Sequence, residues 1–271
     1  MANPILNEKK ATEVAAATKA GWGAPDPATR GTPIDDGPVS PWKSAHATMT
    51  LGGTVTATGV LLVLLLGAAT YGWMSTDVNE AGSLNLPVLS IVGVLVGFLC
   101  AIVVAFKPGL ARILGPIYAL AQGVFLGAIS KAYESFQSGI VVQAVGATLG
   151  VFVVMLVLYS TRIIKVTNKF RRAIIFATIG LGVFYLVSMV FSLFGHTPSF
   201  ISDASGLGIA FSIFAAGLAS MNLLLDFDLI ERGTKEGWPK QMEWFCAFGL
   251  LITLVWLYLE LLRLLSKLQR N

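Results

Sequence analysis

The chain has 271 residues, of which 55% are hydrophobic and only 13% are charged, and its formal net charge is +4. This composition excludes an ordinary soluble domain and indicates a protein that crosses a membrane several times. Most of the Lys and Arg residues lie between apolar runs, where they act as topology signals, so we expect no nucleic-acid partner.

The N-terminal segment 1–48 is polar, rich in Ala, Pro, Gly and Thr, and has no periodic apolar face. Such a composition buries too little apolar surface to fold, so we predict a disordered, cytoplasmic tail. The segment also lacks the basic start, apolar stretch and cleavage site of a signal peptide, and the first spanning helix is expected to act as the insertion signal. The membrane domain is predicted to cover residues 49–268.

Seven apolar runs follow the tail, and each can cross a hydrocarbon layer of about 30 Å, which takes roughly 20 helical residues. Because backbone groups in lipid must be hydrogen-bonded within their own segment, runs of this length are expected to be helices. The predicted fold class is therefore all-α, a polytopic bundle of seven transmembrane helices. The spans are placed near 50–74, 86–106, 111–131, 139–161, 172–195, 205–229 and 243–266.

The basic residues alternate between the two ends of these spans. Of the 19 Lys and Arg residues, 15 lie in the tail and in the second, fourth and sixth connections. Basic connections stay on the cytoplasmic side, so the N-terminus is predicted to be cytoplasmic and, after seven crossings, the C-terminus outside.

Three pairs of glycines have the G-x-x-x-G spacing that lets helix backbones approach closely. Glycine is common in membrane helices, so packing within the bundle is favoured over a dimer interface. The pairs are Gly93/Gly97, Gly123/Gly127 and Gly146/Gly150.

Three acidic residues lie well within the predicted spans, namely Asp226, Asp228 and Glu260. A charge in this zone is costly unless it is paired, hydrated or neutralised. Two residues along a helix correspond to about 200°, so Asp226 and Asp228 cannot face the same pore. Asp228 stands four residues before Arg232, the spacing of a local ion pair. Asp226 is thus the candidate functional carboxylate, and a structurally satisfied carboxylate is the alternative.

Two other carboxylates have local structural explanations. Glu260 can pair with Arg263 or Lys267 near the end of the last span. Glu243 begins the last helix, where the helix dipole alone favours a negative charge.

Enzyme signatures are not found in the sequence. The two histidines are 150 residues apart, and neither a G-x-S-x-G elbow nor a phosphate-binding G-x-x-x-x-G-K-[ST] loop is present. We therefore predict no enzymatic activity, no catalytic residue and no cofactor.

Two stretches resemble a known family. "AFSIFAAGLASMNLLLDFDLIERG" (210–233) and "AFGLLITLVWLYLELLRLL" (247–265) are similar to the last two helices of the Bax inhibitor-1 family, also called TMBIM or YccA-like. The long tail and the segment "GPIYALAQGVFLGAISKAYES" (115–135) resemble its bacterial branch, which implies a bacterial plasma membrane. The resemblance covers about residues 45–268.

The resemblance implies a bundle with the last helix at its centre and a passive Ca²⁺ leak gated by protonation. In the family, aspartates on the sixth and seventh helices form a pH-sensing pair at the cytoplasmic mouth. The first corresponds to Asp226, but the second corresponds to Thr253, so the pair is incomplete here. Asp228 or Glu243 could supply the missing carboxylate, and Lys107 stands near the position of the family's latching arginine.

Two functions of different classes remain open. In the first, an ion pathway, Asp226 is an oxygen ligand in transient contact with Ca²⁺, and its protonation sets a helix gate. In the second, the chain is a non-transporting, stress-related membrane protein that binds another membrane protein, such as a protease, through its G-x-x-x-G faces or its tail. A weaker third alternative, a proton-coupled exporter, would require more intramembrane charge.

Overall fold

The computed structural model describes residues 48–78, 84–85, 88–194 and 205–270. Helices dominate these ranges, which confirms the predicted all-α class, and seven of them are long and apolar enough to cross a membrane. They are α1 (Leu51–Met74), α2 (Val88–Phe106), α3 (Ala111–Phe136), α4 (Ile140–Ser160), α5 (Asn168–Leu193), α6 (Gly206–Lys235) and α7 (Met242–Arg270).

Two short elements accompany the helices. A 3-10 turn, Pro108–Leu110, leads from α2 into α3. An antiparallel ladder of two residues on each side pairs β1 (Asp77–Val78) with β2 (Leu84–Asn85), and it lies between α1 and α2 in the chain.

Several helices extend beyond the predicted apolar runs. α3 continues to Phe136, α6 to Lys235 and α7 to Arg270, whereas α5 begins four residues earlier than predicted, at Asn168. The added turns carry polar and charged residues, which a hydropathy criterion excludes but which extend a helix readily where it leaves the hydrocarbon layer.

Three of the helices begin at a hydroxyl cap. The side chains of Thr50, Thr167 and Ser205 accept hydrogen bonds from backbone N–H groups in the first turns of α1, α5 and α6. These bonds satisfy N–H groups that have no partner within the helix, so each hydroxyl specifies where its helix starts.

The last helix lies at the centre of the bundle. α7 packs against α1, α3, α4 and α6, and it is the most buried of the seven helices. One apolar cluster joins it to α1, α2 and α3, and a second joins it to α4 and α6. This arrangement agrees with the central last helix that the family resemblance implied.

Glycines allow α3 to lie directly against its neighbours. A Cβ atom on Gly127 would overlap the carbonyl oxygen of Ala69 in α1, and one on Gly93 of α2 would overlap a backbone carbonyl of α3. The pairs Gly93/Gly97 and Gly123/Gly127 therefore pack within the bundle, as predicted. For the pair Gly146/Gly150 on α4 this prediction is wrong, because no atom of the described residues lies within 4 Å of a Cβ atom added at either position.

The start of the described chain is attached to the connection between α6 and α7. Thr48 forms an isolated antiparallel bridge with Pro239, and the backbone N–H of Met49 donates to the Trp238 carbonyl at 2.6 Å. Of the tail predicted at 1–48, only Thr48 belongs to the described residues, so the prediction of disorder for 1–47 lies outside them.

Candidate functional site

Asp226 lies on α6 and faces one side of α7. Its carboxylate interacts with the side chain of Thr253, and the thiol of Cys246 is a second neighbour. A Cβ atom on Gly249 would lie 3.7 Å from Asp226 Oδ1. Residues 246, 249 and 253 are three and four positions apart, so they form a single face of α7. The family resemblance assigns Thr253 to the position opposite Asp226, and the helix packing brings the two side chains together.

One oxygen of Asp226 has no hydrogen-bond partner among the residues that the structure describes. The residue is half-buried, but its Oδ2 atom is buried and receives no hydrogen bond in the described part of the chain. The Thr253 hydroxyl has one proton to donate, and the Gly249 carbonyl already offers it an acceptor at 3.2 Å. Buried polar atoms without partners are rare in native proteins and frequently mark functional positions.

Asp228 points away from Asp226, towards α5. Its Oδ2 atom accepts hydrogen bonds from Arg171 Nη2 at 2.6 Å and from Arg232 Nε at 2.9 Å. The pair with Arg232 confirms the spacing argument, and the bond to Arg171 adds a partner that the sequence did not identify. Two guanidinium groups therefore satisfy this carboxylate. Because Arg171 belongs to α5 and Asp228 to α6, the bond between them connects the beginning of α5 to the end of α6.

Glu243 is engaged at the beginning of α1. The residue is only 4% exposed, and its Oε1 atom accepts hydrogen bonds from the backbone N–H and the hydroxyl of Thr50, at 3.0 and 2.9 Å. The carboxylate thus lies at the N-termini of two helices, α1 and its own α7, where both dipoles favour a negative charge.

Lys107 follows the last residue of α2 and is exposed, directly before the 3-10 turn. None of the ion pairs among the described residues joins it to Asp226. Of the five residues that the sequence proposed for the site, the structure therefore brings together Asp226 and Thr253.

Glu260 provides a contrast to Asp226. It is 2% exposed, yet its carboxylate accepts hydrogen bonds from Tyr185 at 2.8 Å, Trp256 at 3.2 Å and Arg263 at 3.0 Å. The predicted ion pair with Arg263 is present. A carboxylate with this number of donors is fully satisfied in its charged form.

A second polar cluster, centred on Glu231, was not identified from the sequence. Glu231 accepts hydrogen bonds from Tyr159 at the end of α4, from Arg162 just beyond it, and from Lys235. Arg162 has a left-handed backbone with φ 58°, and its hydrogen bond to Glu231 raises the pKa of its guanidinium. Only the Glu231–Lys235 pair, at a spacing of four, is readable from the sequence; the other contacts depend on the packing of α4 against α6.

The residues that the structure describes contain no group of three or more His, Cys, Asp or Glu side chains that could hold a metal ion. Resident Ca²⁺ sites take six to eight oxygen ligands, several of them carboxylates. Asp226 offers one carboxylate, which suits a cation in passage better than a cation held in place.

A comparison with curated proteins finds no match for the chain. A protein-family model described as "Bax inhibitor 1 like" matches residues 3–270, which is almost the whole sequence. The match includes α6 and α7, on which the resemblance rested, and it also includes Asp226 and Thr253. The chain is therefore a membrane protein that belongs to the Bax inhibitor 1 like family.

Proposed function

We propose that this protein is a passive, pH-sensitive cation leak, with Ca²⁺ as the cation and Asp226 as the carboxylate that controls it. The supporting observation is the contrast between two carboxylates in the membrane zone. Glu260 has hydrogen bonds from three side chains, whereas Asp226 has a buried oxygen with none among the described residues. A carboxylate oxygen without a hydrogen-bond partner is costly in the membrane zone. Its presence between two helices therefore favours a functional role, such as binding a cation or a proton, over a structural one.

A carboxylate oxygen is a hard ligand of the kind that Ca²⁺ prefers. Its neighbours on α7 are a hydroxyl and a thiol, and neither carries a positive charge that would compete with a cation. A site with a single carboxylate holds a cation weakly, and conduction requires that an ion can leave a site as readily as it enters.

Protonation provides the proposed control. A proton and a cation compete for the same oxygen atoms of Asp226, so flux is expected to fall as the pH is lowered. The neutral carboxyl also requires no water in the contact between α6 and α7, whereas the charged form does, so protonation favours the closed packing of the two helices.

We further propose that the protein resides in a bacterial plasma membrane with its N-terminus in the cytoplasm and its C-terminus outside. The distribution of 15 of the 19 Lys and Arg residues to one side supports this orientation. In this orientation, Asp226 lies in the cytoplasmic half of α6, two residues before the partnered Asp228.

The test is a flux assay on the purified full chain in liposomes that contain a Ca²⁺ dye, at a series of pH values. Wild type is expected to show pH-dependent flux, and Asp226→Asn, which mimics the protonated form, is expected to lose most of it at every pH. Asp77→Asn is the control, because Asp77 is an exposed carboxylate in the short ladder outside the spans. Equal flux in the Asp226→Asn variant would remove Asp226 from the mechanism. Wild type without flux at any pH would favour the non-transporting interaction protein.

A second variant tests the incomplete pair. Thr253→Asp places a carboxylate opposite Asp226, and two carboxylates at close range share a proton because both cannot ionise cheaply. We expect the flux of this variant to depend more steeply on pH than that of wild type. Thr253→Val, which removes the hydroxyl without adding a charge, is the control. Identical pH curves for the two variants would contradict the assignment of Thr253 to the partner position.

A further inference from the structure

A lateral groove of about 540 Å³ opens between α1 and α4, with α3 and α7 as its floor. It exists because α3 is pressed against α1 through glycines, while α1 and α4 do not pack closely against each other. Along α1 it extends from Thr58 to Trp73, which corresponds to about 22 Å of helix. In a membrane, this face of the bundle borders the hydrocarbon layer over most of one helix length.

The chemistry of the lining suits hydrocarbon rather than water. The hydroxyls of Thr58, Thr70 and Thr148 each donate to a carbonyl of their own helix, at 2.7 to 3.0 Å. Ser130 and Tyr258 are hydrogen-bonded to each other at 2.6 Å. Most of the other lining side chains are aliphatic or aromatic. Buried water needs two to four polar partners, and these hydroxyl protons are already used within the protein.

A cation marks the end of the groove at which α1 terminates. Lys131 Nζ lies 5.0 Å from the centre of the Trp73 ring, and Trp73 lines the groove one residue before α1 ends. Lys131 forms no ion pair with a carboxylate among the described residues. Tryptophan and lysine together at a helix end are typical of the level of lipid headgroups.

We propose that this groove binds one phospholipid, with an acyl chain along α1 and α4 and the phosphate beside Lys131. The apolar lining accommodates the chain, and the ammonium group of Lys131 complements the negative phosphate. The Trp73 ring separates the two regions. Neither the groove lining nor Lys131 belongs to the Asp226 site, so the proposed lipid site does not depend on the proposed cation flux.

The test is native mass spectrometry of the full-length protein, released from nanodiscs that contain phosphatidylcholine or a diacylglycerol with the same chains. Wild type is expected to retain one phosphatidylcholine molecule, and about tenfold less diacylglycerol, because the second lipid lacks the phosphate that Lys131 contacts. Release without lipid, or as a lipid-free dimer, would overturn the proposal. Equal retention of the two lipids would overturn the phosphate contact.

Two pairs of variants locate the site. Val145→Trp fills the groove and should abolish lipid retention, whereas Val142→Trp should not, because Val142 is 76% exposed on the same helix and does not line the groove. Lys131→Gln should remove the preference for phosphatidylcholine, and Lys165→Gln, an exposed lysine beyond the other end of α4, should keep it. Equal retention in both members of either pair would contradict the assignment.

A crosslinking experiment on unaltered protein covers the case in which Val145→Trp does not fold. Phosphatidylcholine with a photoreactive group on its acyl chain should label peptides of α1 and α4 in protein that has been purified away from bulk lipid. Labelling confined to α5, the least buried helix, would overturn the proposal.

Discussion

Replacement of Asp226 by leucine is expected to stabilise the protein while it abolishes flux. The structure contains one buried oxygen of Asp226 without a hydrogen-bond partner in its described part, and the desolvation of such a group costs about 1–3 kcal/mol. Leucine removes that oxygen, and the absence of a side chain on Gly249 leaves room for the added methyl groups. For a chain of this size, a gain of about 1–3 kcal/mol raises the unfolding midpoint by about 2–6 °C.

The matched control is the same substitution at Glu260. That carboxylate accepts hydrogen bonds from Tyr185, Trp256 and Arg263, so Glu260→Leu removes a satisfied group and leaves a partly buried guanidinium without its ion-pair partner. Breaking a buried pair in this way costs about 3–5 kcal/mol, and the midpoint should fall. Both variants replace an acidic side chain by leucine, but the unfolding midpoint is expected to rise for Asp226→Leu and to fall for Glu260→Leu.

The assay is thermal unfolding in one detergent at one pH, followed by intrinsic fluorescence, for wild type and both variants. Liposome flux is measured on the same preparations. A lower midpoint for Asp226→Leu would refute the reasoning, because it would mean that the Asp226 carboxylate has stabilising partners. A raised midpoint with unchanged flux would separate the two properties and remove Asp226 from conduction.

Two further predictions concern glycines and can be checked by the same thermal assay. A Cβ atom on Gly53 would overlap the Glu243 carboxylate, so Gly53→Ala should disrupt the bond between the starts of α1 and α7 and lower the midpoint; Gly52→Ala, with no atom within 4 Å, should not. Gly127→Ala would force α3 away from the α1 backbone and should destabilise the protein by about 1–3 kcal/mol, as overpacking does. Gly146→Ala has open space and better helix propensity, so it should be neutral or stabilising by up to about 1 kcal/mol. Equal effects within either pair would show that the close approach is not what requires glycine.

Features of this protein that depend on local chemistry could be predicted from the sequence. Apolar runs of about 20 residues can only be helices in lipid, so the number of spans and their approximate positions followed from length and hydropathy. The ion pairs Asp228–Arg232 and Glu260–Arg263 followed from helical spacing, because residues three or four apart lie side by side on any helix. The divergence of Asp226 from Asp228 followed from the same geometry.

The rotation of each helix against its neighbours depends on the packing of the whole bundle and could not be predicted from the sequence. Helical spacing did not reveal that Glu243 bonds Thr50 nearly 200 residues earlier in the chain, nor that Asp228 also binds Arg171. The opening between α1 and α4 likewise arises from the positions of four helices, and no single helix encodes it. Thr253 is an intermediate case. The family resemblance identified its position in the sequence, and the packing of α6 against α7 brings its side chain beside Asp226. Rotation about a helix axis changes none of the helix's internal hydrogen bonds, so it is determined by side-chain packing between helices.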